Sequence, residues 1–165
     1  MMIFILRRFF IILALFLAFK SEAQNYVWTQ GFGNTRSDKA ISIKTDSAGY
    51  IYVSGYFSNT VTLGTNALVL SYTANTNSKE AFLAKYDSTG FCLWARSGGQ
   101  YFDDRVLGLD VDADGNSVIT GTFWQTSAGF QMGTVNVTGT GFGGGDQCFI
   151  VKHDKNGNQL WGNFI

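Results

Sequence analysis

Three carboxylates at alternate positions form the clearest chemical pattern in the chain. Asp110, Asp112 and Asp114 are each separated by one residue, and Gly115 follows the last of them. Alternating acids before a glycine form the first half of an EF-hand loop, where they ligate Ca²⁺. The twelfth position of such a loop is normally a bidentate Glu, whereas here it is Gly121. Two interpretations follow: a calcium site confined to this stretch, or a tight turn with an additional surface acid.

The single histidine of the chain, His153, gives little support for catalysis. A catalytic triad needs a nucleophile and an orienting acid beside the histidine, and no spacing in the sequence indicates the nucleophile. Zinc sites combine histidine with cysteines or carboxylates at short, regular spacing, and the sequence has no such pattern. We therefore predict a structural role for His153, no catalytic residue, and a protein that is not an enzyme.

Aromatic residues in loops are the remaining candidates for a binding site. Tyr101, Phe102 and Trp124 lie just outside the apolar runs that have the pattern of strands. Exposed aromatic side chains are common anchors for protein or sugar partners, and loops on a rigid scaffold are where function is usually found. We predict ligand binding by these three residues. The alternative is that they cover the ends of the adjacent core.

The elements that carry these residues are organised by a four-residue turn. The pattern Asp-x-x-Gly occurs between apolar runs at 46–49, 87–90, 112–115 and 154–157. The Asp side chain accepts hydrogen bonds from backbone amides of the turn, and the Gly adopts positive φ without a Cβ clash. Because such turns join neighbouring antiparallel strands, the chain is predicted to be built from β-hairpins.

These turns belong to a longer repeat. Three tryptophans are separated by 66 and 67 residues: Trp28, Trp94 and Trp161. In the same register, two units share the blocks D-x-x-G-[YN]-x-x-[VI]-x-G-x-F and F-[LI]-[AV]-K-x-D, followed by a closing Leu-Trp.

Each unit is predicted to contain four strands and one insertion. The first unit covers about 38–96 with an insertion at 58–80, and the second covers about 104–163 with an insertion at 124–147. A lone strand over 26–30 precedes them, because these residues match the last strand of a unit.

The repeated blocks resemble the bacterial SBBP-type β-propeller repeat, a module of secreted proteins, over nearly all of the chain after about Trp28. The resemblance implies four-stranded antiparallel blades arranged around an axis. It implies no common catalytic site, so it concerns fold and cellular context rather than chemistry. The expected fold is all-β, with two propeller-type blades and an N-terminal strand.

Two blades are fewer than a closed propeller needs. Closed propellers commonly have about 4–8 blades, and stacked repeats usually need about three copies to share a stable core. We therefore expect an incomplete propeller, either a piece of a longer one or a unit that forms a homo-oligomer. We favour the piece, because the strand at 26–30 resembles the edge of a blade whose other strands are missing.

The first 23 residues have the pattern of a secretory signal peptide. Two arginines at 7–8 precede the apolar run 9–19, which is short for a membrane span. Ser21 and Ala23 are small residues suited to cleavage before Gln24. We expect secretion, display at the cell surface or a periplasmic location, with no membrane contact after cleavage. An uncleaved membrane anchor is the alternative.

Charge and cysteine content limit the expected partners. Without the first 23 residues, nine basic and eleven acidic side chains remain, a net charge of −2 without charged runs. Nucleic-acid grooves and anionic membranes require clustered Lys and Arg, so neither partner is expected. Cys92 and Cys148 occupy non-equivalent positions of the two units, so we predict no disulfide between them.

Three functions are consistent with these patterns. The first is an exported, non-enzymatic module or scaffold whose loops bind a protein or a glycan. The second is a fragment of a polysaccharide-active propeller enzyme whose catalytic residues lie outside this chain. The third is a calcium-stabilised structural repeat. The sequence lacks a rim cluster of acids with a histidine, which favours the first function over the second.

Overall fold

The computed structural model describes residues 28–71, 77–99, 102–124, 129–133, 136–137 and 145–165, and of 136–137 only the backbone. These residues form β-strands and no helix, and therefore no helix that is long and apolar enough to cross a membrane. The predicted signal peptide lies outside the described residues. The strands are β1 (Lys39–Thr45), β2 (Ile51–Phe57), β3 (Thr60–Leu63), β4 (Leu68–Ser71), β5 (Glu80–Tyr86), β6 (Cys92–Gly98), β7 (Arg105–Val111), β8 (Ser117–Trp124), β9 (Phe130–Gln131), β10 (Asn136–Val137), β11 (Asp146–His153) and β12 (Gln159–Phe164).

Two four-stranded antiparallel sheets form the body of the protein. Blade 1 has the strand order β1-β2-β5-β6, and blade 2 has the equivalent order β7-β8-β11-β12. The repeat extends to irregularities in the ladders, because the register shift between Ala40 and Ser42 recurs between Val106 and Gly108. The sheets remain separate and do not close into a ring. The predicted all-β fold, an incomplete propeller with two four-stranded antiparallel blades, is confirmed.

The four Asp-x-x-Gly turns have the predicted hydrogen bonds. In the first turn, the Gly49 amide donates to the Asp46 carbonyl at 3.1 Å. The Asp46 carboxylate accepts from the backbone amides of Ala48 and Tyr50, each at 3.0 Å. Equivalent main-chain bonds close the turns at 87–90, 112–115 and 154–157. Each blade is therefore held at one end by two turns of the same chemistry.

Both insertions contribute apolar side chains to the face of their own blade. In blade 1, strands β3 and β4 form the predicted hairpin, and Val61 and Leu63 are buried against that blade's core. In blade 2, the ring of Phe130 stacks on Phe149 with centroids 4.0 Å apart. The insertions therefore thicken the core.

A continuous apolar core joins the two blades. Blade 1 contributes the face that carries Tyr52, Leu83 and Trp94, and blade 2 contributes the opposite face of its own sheet, which includes Ile119 and Phe149. These side chains are at least nine-tenths buried, and burial of apolar area is the main stabilising term in folding. The blades therefore form one hydrophobic unit.

One indole at each junction contacts a turn of the following blade. Trp94 of blade 1 donates its Nε1 hydrogen to the Lys155 carbonyl at 3.1 Å. A Cβ atom built on Gly157 would lie 2.7 Å from the Trp94 ring, so only glycine leaves room for the indole. Trp28 makes the equivalent contact on blade 1, where it donates to the Ser88 carbonyl at 2.9 Å.

The lone strand predicted over 26–30 is not found in its described part. Residues 28–30 belong to no strand, and they are attached through side chains. Besides the Trp28 bond, Gln30 Nε2 donates to the Gly64 carbonyl at 2.7 Å. A fourth strand pairs with the third strand of its own blade, and residues 28–30 have no such strand among the described residues. The tryptophan spacing of the repeat therefore indicated where the Trp28 indole lies, but it did not indicate a strand pairing for residues 28–30.

The two cysteines are free thiols on different blades. Cys92 is buried in blade 1, whereas Cys148 is exposed on blade 2. Burial raises the pKa of the Cys92 thiol to about 11, so this thiol stays protonated at neutral pH and is a poor nucleophile.

Replacing Trp94 by Ala should destabilise the protein far more than the same change at Trp161. Trp94 is 9% exposed and Trp161 is 41% exposed, although the two residues are equivalent in the repeat. We expect Trp94→Ala to lower the free energy of unfolding by about 3–5 kcal/mol and Trp161→Ala by about 1 kcal/mol or less. Urea denaturation of both variants measures the difference. Equal losses would contradict the assignment of Trp94 to the interblade core.

Candidate functional site

A cleft opens at the junction of the two blades, at the end opposite the Asp-x-x-Gly turns. Its volume of about 350 Å³ lies near the lower end of the range for small-ligand pockets. The segment before β5, the loop between β6 and β7, the end of β8 and the start of β11 meet there. The cleft is lined by Asn77, Ser78, Phe102, Asp103, Arg105, Trp124 and Asp146.

Two of the three predicted aromatic residues lie together on the wall of this cleft. The ring centroids of Phe102 and Trp124 are 5.6 Å apart, and the rings are tilted by 43°. Phe102 is 47% exposed and Trp124 is 38% exposed, so the pair presents an apolar surface to solvent. The third predicted residue, Tyr101, lies outside the described residues.

The carboxylate of Asp103 connects the two blades beneath the aromatic pair. It accepts hydrogen bonds from the Lys79 backbone amide at 3.0 Å and from Lys79 Nζ at 2.7 Å. It also accepts from Arg105 at the start of blade 2. Partial burial acts to raise the pKa of Asp103, but the bonds from these two cations outweigh it and hold that pKa below its usual value.

The two cations are also positioned by an aromatic ring of blade 1. Lys79 Nζ lies 5.9 Å from the centroid of the Tyr56 ring, and the Arg105 guanidinium carbon lies 5.8 Å from the same centroid. Such cation–π contacts favour one side-chain position over many. The cleft therefore combines one fixed cationic donor, Arg105, with the exposed carboxylate of Asp146.

A buried pair of acids lies behind the cleft. Glu80 is 1% exposed and Asp104 is 2% exposed. Both carboxylates approach Gly99, where any side chain would collide with them. Ser78 Oγ donates to Glu80 Oε1 at 3.2 Å. Burial raises the pKa of Glu80 to about 9, and the Asp104 charge adds to the shift. Glu80 is therefore protonated at neutral pH.

The three candidate calcium ligands are engaged in other contacts or point to solvent. Asp110 forms an exposed ion pair with Lys44 at 3.1 Å. The Asp112 carboxylate accepts from the backbone amides of Asp114 and Asn116, at 3.1 and 2.8 Å. Within the described ranges, no group of three or more His, Cys, Asp or Glu side chains is arranged to hold a metal ion. Calcium binding by Asp110, Asp112 and Asp114 stays a prediction.

His153 is fully buried in blade 2. It pairs across the sheet with Ser117 on one side and Gln159 on the other. Burial lowers the pKa of His153 to about 4, and the nearby positive charge of Arg96 acts in the same direction. The imidazole is therefore neutral at physiological pH and out of contact with solvent.

A second cleft lies at the opposite end of the junction, and a buried lysine forms part of its wall. It measures about 380 Å³ and includes Trp94 and Lys85 in its lining. Lys85 Nζ lies 3.7 Å from the Asp46 carboxylate, 4.3 Å from the centroid of the Tyr50 ring and 3.3 Å from the Lys155 carbonyl. These contacts give Lys85 a structural role that spans both blades.

Sequence reasoning missed the polar half of the first cleft. Asp103, Arg105 and Asp146 were not predicted as site residues, although Asp103 directly follows the predicted Phe102 in the sequence. One signal was available. The positions equivalent to Phe102, Asp103 and Trp124 in the first unit are Arg36, Ser37 and Ser58. Residues that differ from their equivalents in the first unit, such as Phe102 and Asp103, therefore indicate the position of the cleft.

Substituting Glu80 by Gln should remove a pH-dependent loss of stability. Because the folded-state pKa of about 9 lies above the ordinary value of 4.5, folding takes up a proton between these pH values. Stability is then greatest below about pH 4.5 and falls as the pH rises to about 9. Glu80→Gln should match the native chain at pH 5 and exceed it at pH 9 in urea denaturation.

Asp146→Asn is the matched control, because it neutralises an exposed carboxylate at the same cleft. This control should keep the native pH dependence between pH 5 and pH 9. The assignment fails if Glu80→Gln and the native chain lose stability in parallel over this range.

Comparison with known proteins supports a repeat protein. No protein-family model matches the chain. The chain is 35% identical over 111 residues to an uncharacterized WD repeat-containing protein, L264, of Acanthamoeba polyphaga mimivirus. The match covers 64% of this chain and 8% of that relative. WD repeats form four-stranded propeller blades, as do the two units described above. The sequence repeat, the two blades and this similarity together make the chain a repeat protein of the propeller type.

Proposed function

We propose that this protein is a non-enzymatic binding module whose ligand is a carbohydrate and whose binding site is the cleft beside Phe102 and Trp124. The observation that carries the proposal is the exposed contact between these two rings beside a polar cleft. Both residues interrupt the repeat, so the blade fold itself does not require them.

The composition of the cleft fits the surface of a sugar. A sugar ring has apolar C–H faces and a rim of hydroxyl groups. The flat rings of Phe102 and Trp124 offer an apolar surface for the former. The carboxylate of Asp146 and the guanidinium of Arg105 offer acceptors and donors for the latter. Because Asp103 fixes Arg105, the polar groups are held in place before a ligand arrives.

The size of the site favours a small ligand over a protein surface. The cleft volume of about 350 Å³ lies within the range of small-ligand pockets, whereas a stable protein interface is a broad surface of about 800 Å² on each partner. A protein partner is the second candidate, and the similarity to a WD repeat-containing protein supports it in general terms. Exposed Trp and Arg side chains also serve as anchors in protein interfaces.

Two of the carboxylates near the cleft, Glu80 and Asp103, are poorly suited to acid–base catalysis. Hydrolysis of a glycosidic bond uses two carboxyl groups that both contact the substrate. Glu80 has the raised pKa of a general acid, but it is buried and does not line the cleft. Asp103 is bonded to two cations. These features support binding without chemistry.

We also propose that the protein is exported and that its repeats are of the bacterial SBBP type. Export is supported by the arginines at 7–8, the apolar run 9–19 and the small residues before Gln24. The SBBP type is supported by the two blocks that each unit contains. Expression of the full chain in a bacterium, followed by N-terminal sequencing of the exported protein, should give Gln24 as the first residue. Retention in the cell with Met1 intact would contradict export.

Loss of the Trp124 ring should weaken carbohydrate binding without unfolding the protein. An array of bacterial, plant and chitin-derived oligosaccharides serves as the probe for the native chain. For the oligosaccharide that binds best, we expect Trp124→Ala and Phe102→Ala each to weaken affinity by at least about tenfold. Leu107→Ala is the control, since Leu107 is a 50% exposed apolar residue outside the cleft.

Two results would overturn the carbohydrate proposal. One is the absence of binding to any oligosaccharide on the array. The other is binding that Leu107→Ala weakens as much as Trp124→Ala does. A cross-linked protein partner that depends on Trp124 would assign the same cleft to protein binding instead.

A further inference from the structure

The contact between an indole and a turn occurs twice with the same geometry. Trp94 lies on Gly157 and donates to the carbonyl of Lys155, the second residue of that turn. Trp28 lies on Gly90 and donates to the carbonyl of the second residue, Ser88. In each case the indole precedes, in the sequence, the blade that it contacts. The same contact therefore attaches an indole to the following unit at both places.

Trp161 has the equivalent position in blade 2, but it contacts no turn. It lies 67 residues after Trp94, and its exposed fraction is 41% against 9% for Trp94. The indole of Trp161 makes no hydrogen bond within the part of the chain that the structure describes. Blade 2 thus has an indole N–H at the equivalent position, on Trp161, but no turn carbonyl among the described residues accepts a hydrogen bond from it.

The residues around Trp161 show the same difference in burial. Ala81 and Leu83 are fully buried in the interface between the blades. Their equivalents in blade 2 are Cys148, which is exposed, and Ile150, which is half-buried. The face of blade 2 around Trp161 is therefore equivalent to the face of blade 1 that packs on blade 2, but no blade in the described part of the chain covers it.

A lysine on this face has lost one of its partners. In blade 1, Lys85 contacts the turn acid Asp46 and also donates to the carbonyl of Lys155 in the next blade. In blade 2, Lys152 keeps the equivalent contact with Asp112, at 3.7 Å. A blade placed on this face would supply the missing carbonyl.

We propose that the face of blade 2 formed by Cys148, Ile150, Lys152 and Trp161 binds a further four-stranded blade of the same repeat. The partner is recognised by an Asp-x-x-Gly turn. Its glycine accepts the flat face of the Trp161 indole, and the carbonyl of its second residue accepts hydrogen bonds from Trp161 Nε1 and Lys152 Nζ. This interaction surface is separate from the ligand cleft.

An intact second copy of this chain does not meet the requirement. Only the second turn of each unit receives an indole, and in a second copy both of these turns are already covered, 87–90 by Trp28 and 154–157 by Trp94. The partner must therefore be a blade whose turn is uncovered.

A chain with one added unit tests the proposal. Because Ile165 is equivalent to Gly98, a second copy of residues 99–165 joined after Ile165 continues the repeat in register. In this extended chain, Trp161→Ala should lower the melting temperature by about 10 °C. The same substitution in the native chain should lower it by less than about 4 °C. Trp124→Ala is the control and should cause equal shifts in both chains. Equal shifts for Trp161→Ala would overturn the proposal.

Thiol labelling gives a second readout that requires no change at Trp161. Cys148 is exposed on the proposed surface, and Cys92 is buried. The extended chain is made with Ser at the copied cysteine, so that Cys148 remains the reactive thiol. We expect a maleimide to label Cys148 at least about tenfold more slowly in the extended chain than in the native chain, because covered thiols react only on opening. Unchanged labelling would show that the added blade does not cover this face.

Discussion

The contact of one indole with the turn of the following blade is the constraint on which the rest of the structure depends. Trp94 reaches from the last strand of blade 1 onto Gly157, where only a residue without Cβ leaves room for the ring. The hydrogen bond to the Lys155 carbonyl fixes the depth of the contact. Because interiors are close-packed, the relative position of the blades follows from this single insertion, and the core around Leu83, Ile119 and Phe149 fills the space that remains.

The opposite end of the same junction carries the candidate site. There the blades are joined by polar contacts, chiefly the carboxylate of Asp103 between Lys79 and Arg105. The protonated Glu80 allows a second acid, Asp104, to be buried close by without two full charges. The result is a pair of aromatic rings and a few fixed polar groups on a rigid support, an arrangement that suits recognition of a ligand better than chemical conversion. The junction between the blades thus has the Trp94 contact with a turn at one end and the polar cleft at the other.

The parts of the structure that repeat could be predicted, and the parts that do not repeat largely could not. The Asp-x-x-Gly turns and alternating strands are local features, so the sequence pattern was sufficient for both blades. The pairing of Phe102 with Trp124 was not visible, because it depends on how the loop between β6 and β7 meets the end of β8 in space. The polar residues of the cleft were missed for the same reason. The strand expected over 26–30 stays a prediction, since the third strand with which it would pair is not among the described residues; what the structure shows there is the Trp28 contact.

Hydrogen exchange at the indole nitrogens tests the central claim most directly. The full chain, labelled with ¹⁵N at tryptophan, is transferred to D₂O and followed by NMR. The indole hydrogen of Trp94 should exchange slowly, because it is part-buried and bonded to the Lys155 carbonyl of blade 2. The indole hydrogen of Trp161 should exchange rapidly. If Trp94 exchanged as fast as Trp161, the indole contact would not be what holds the two blades together.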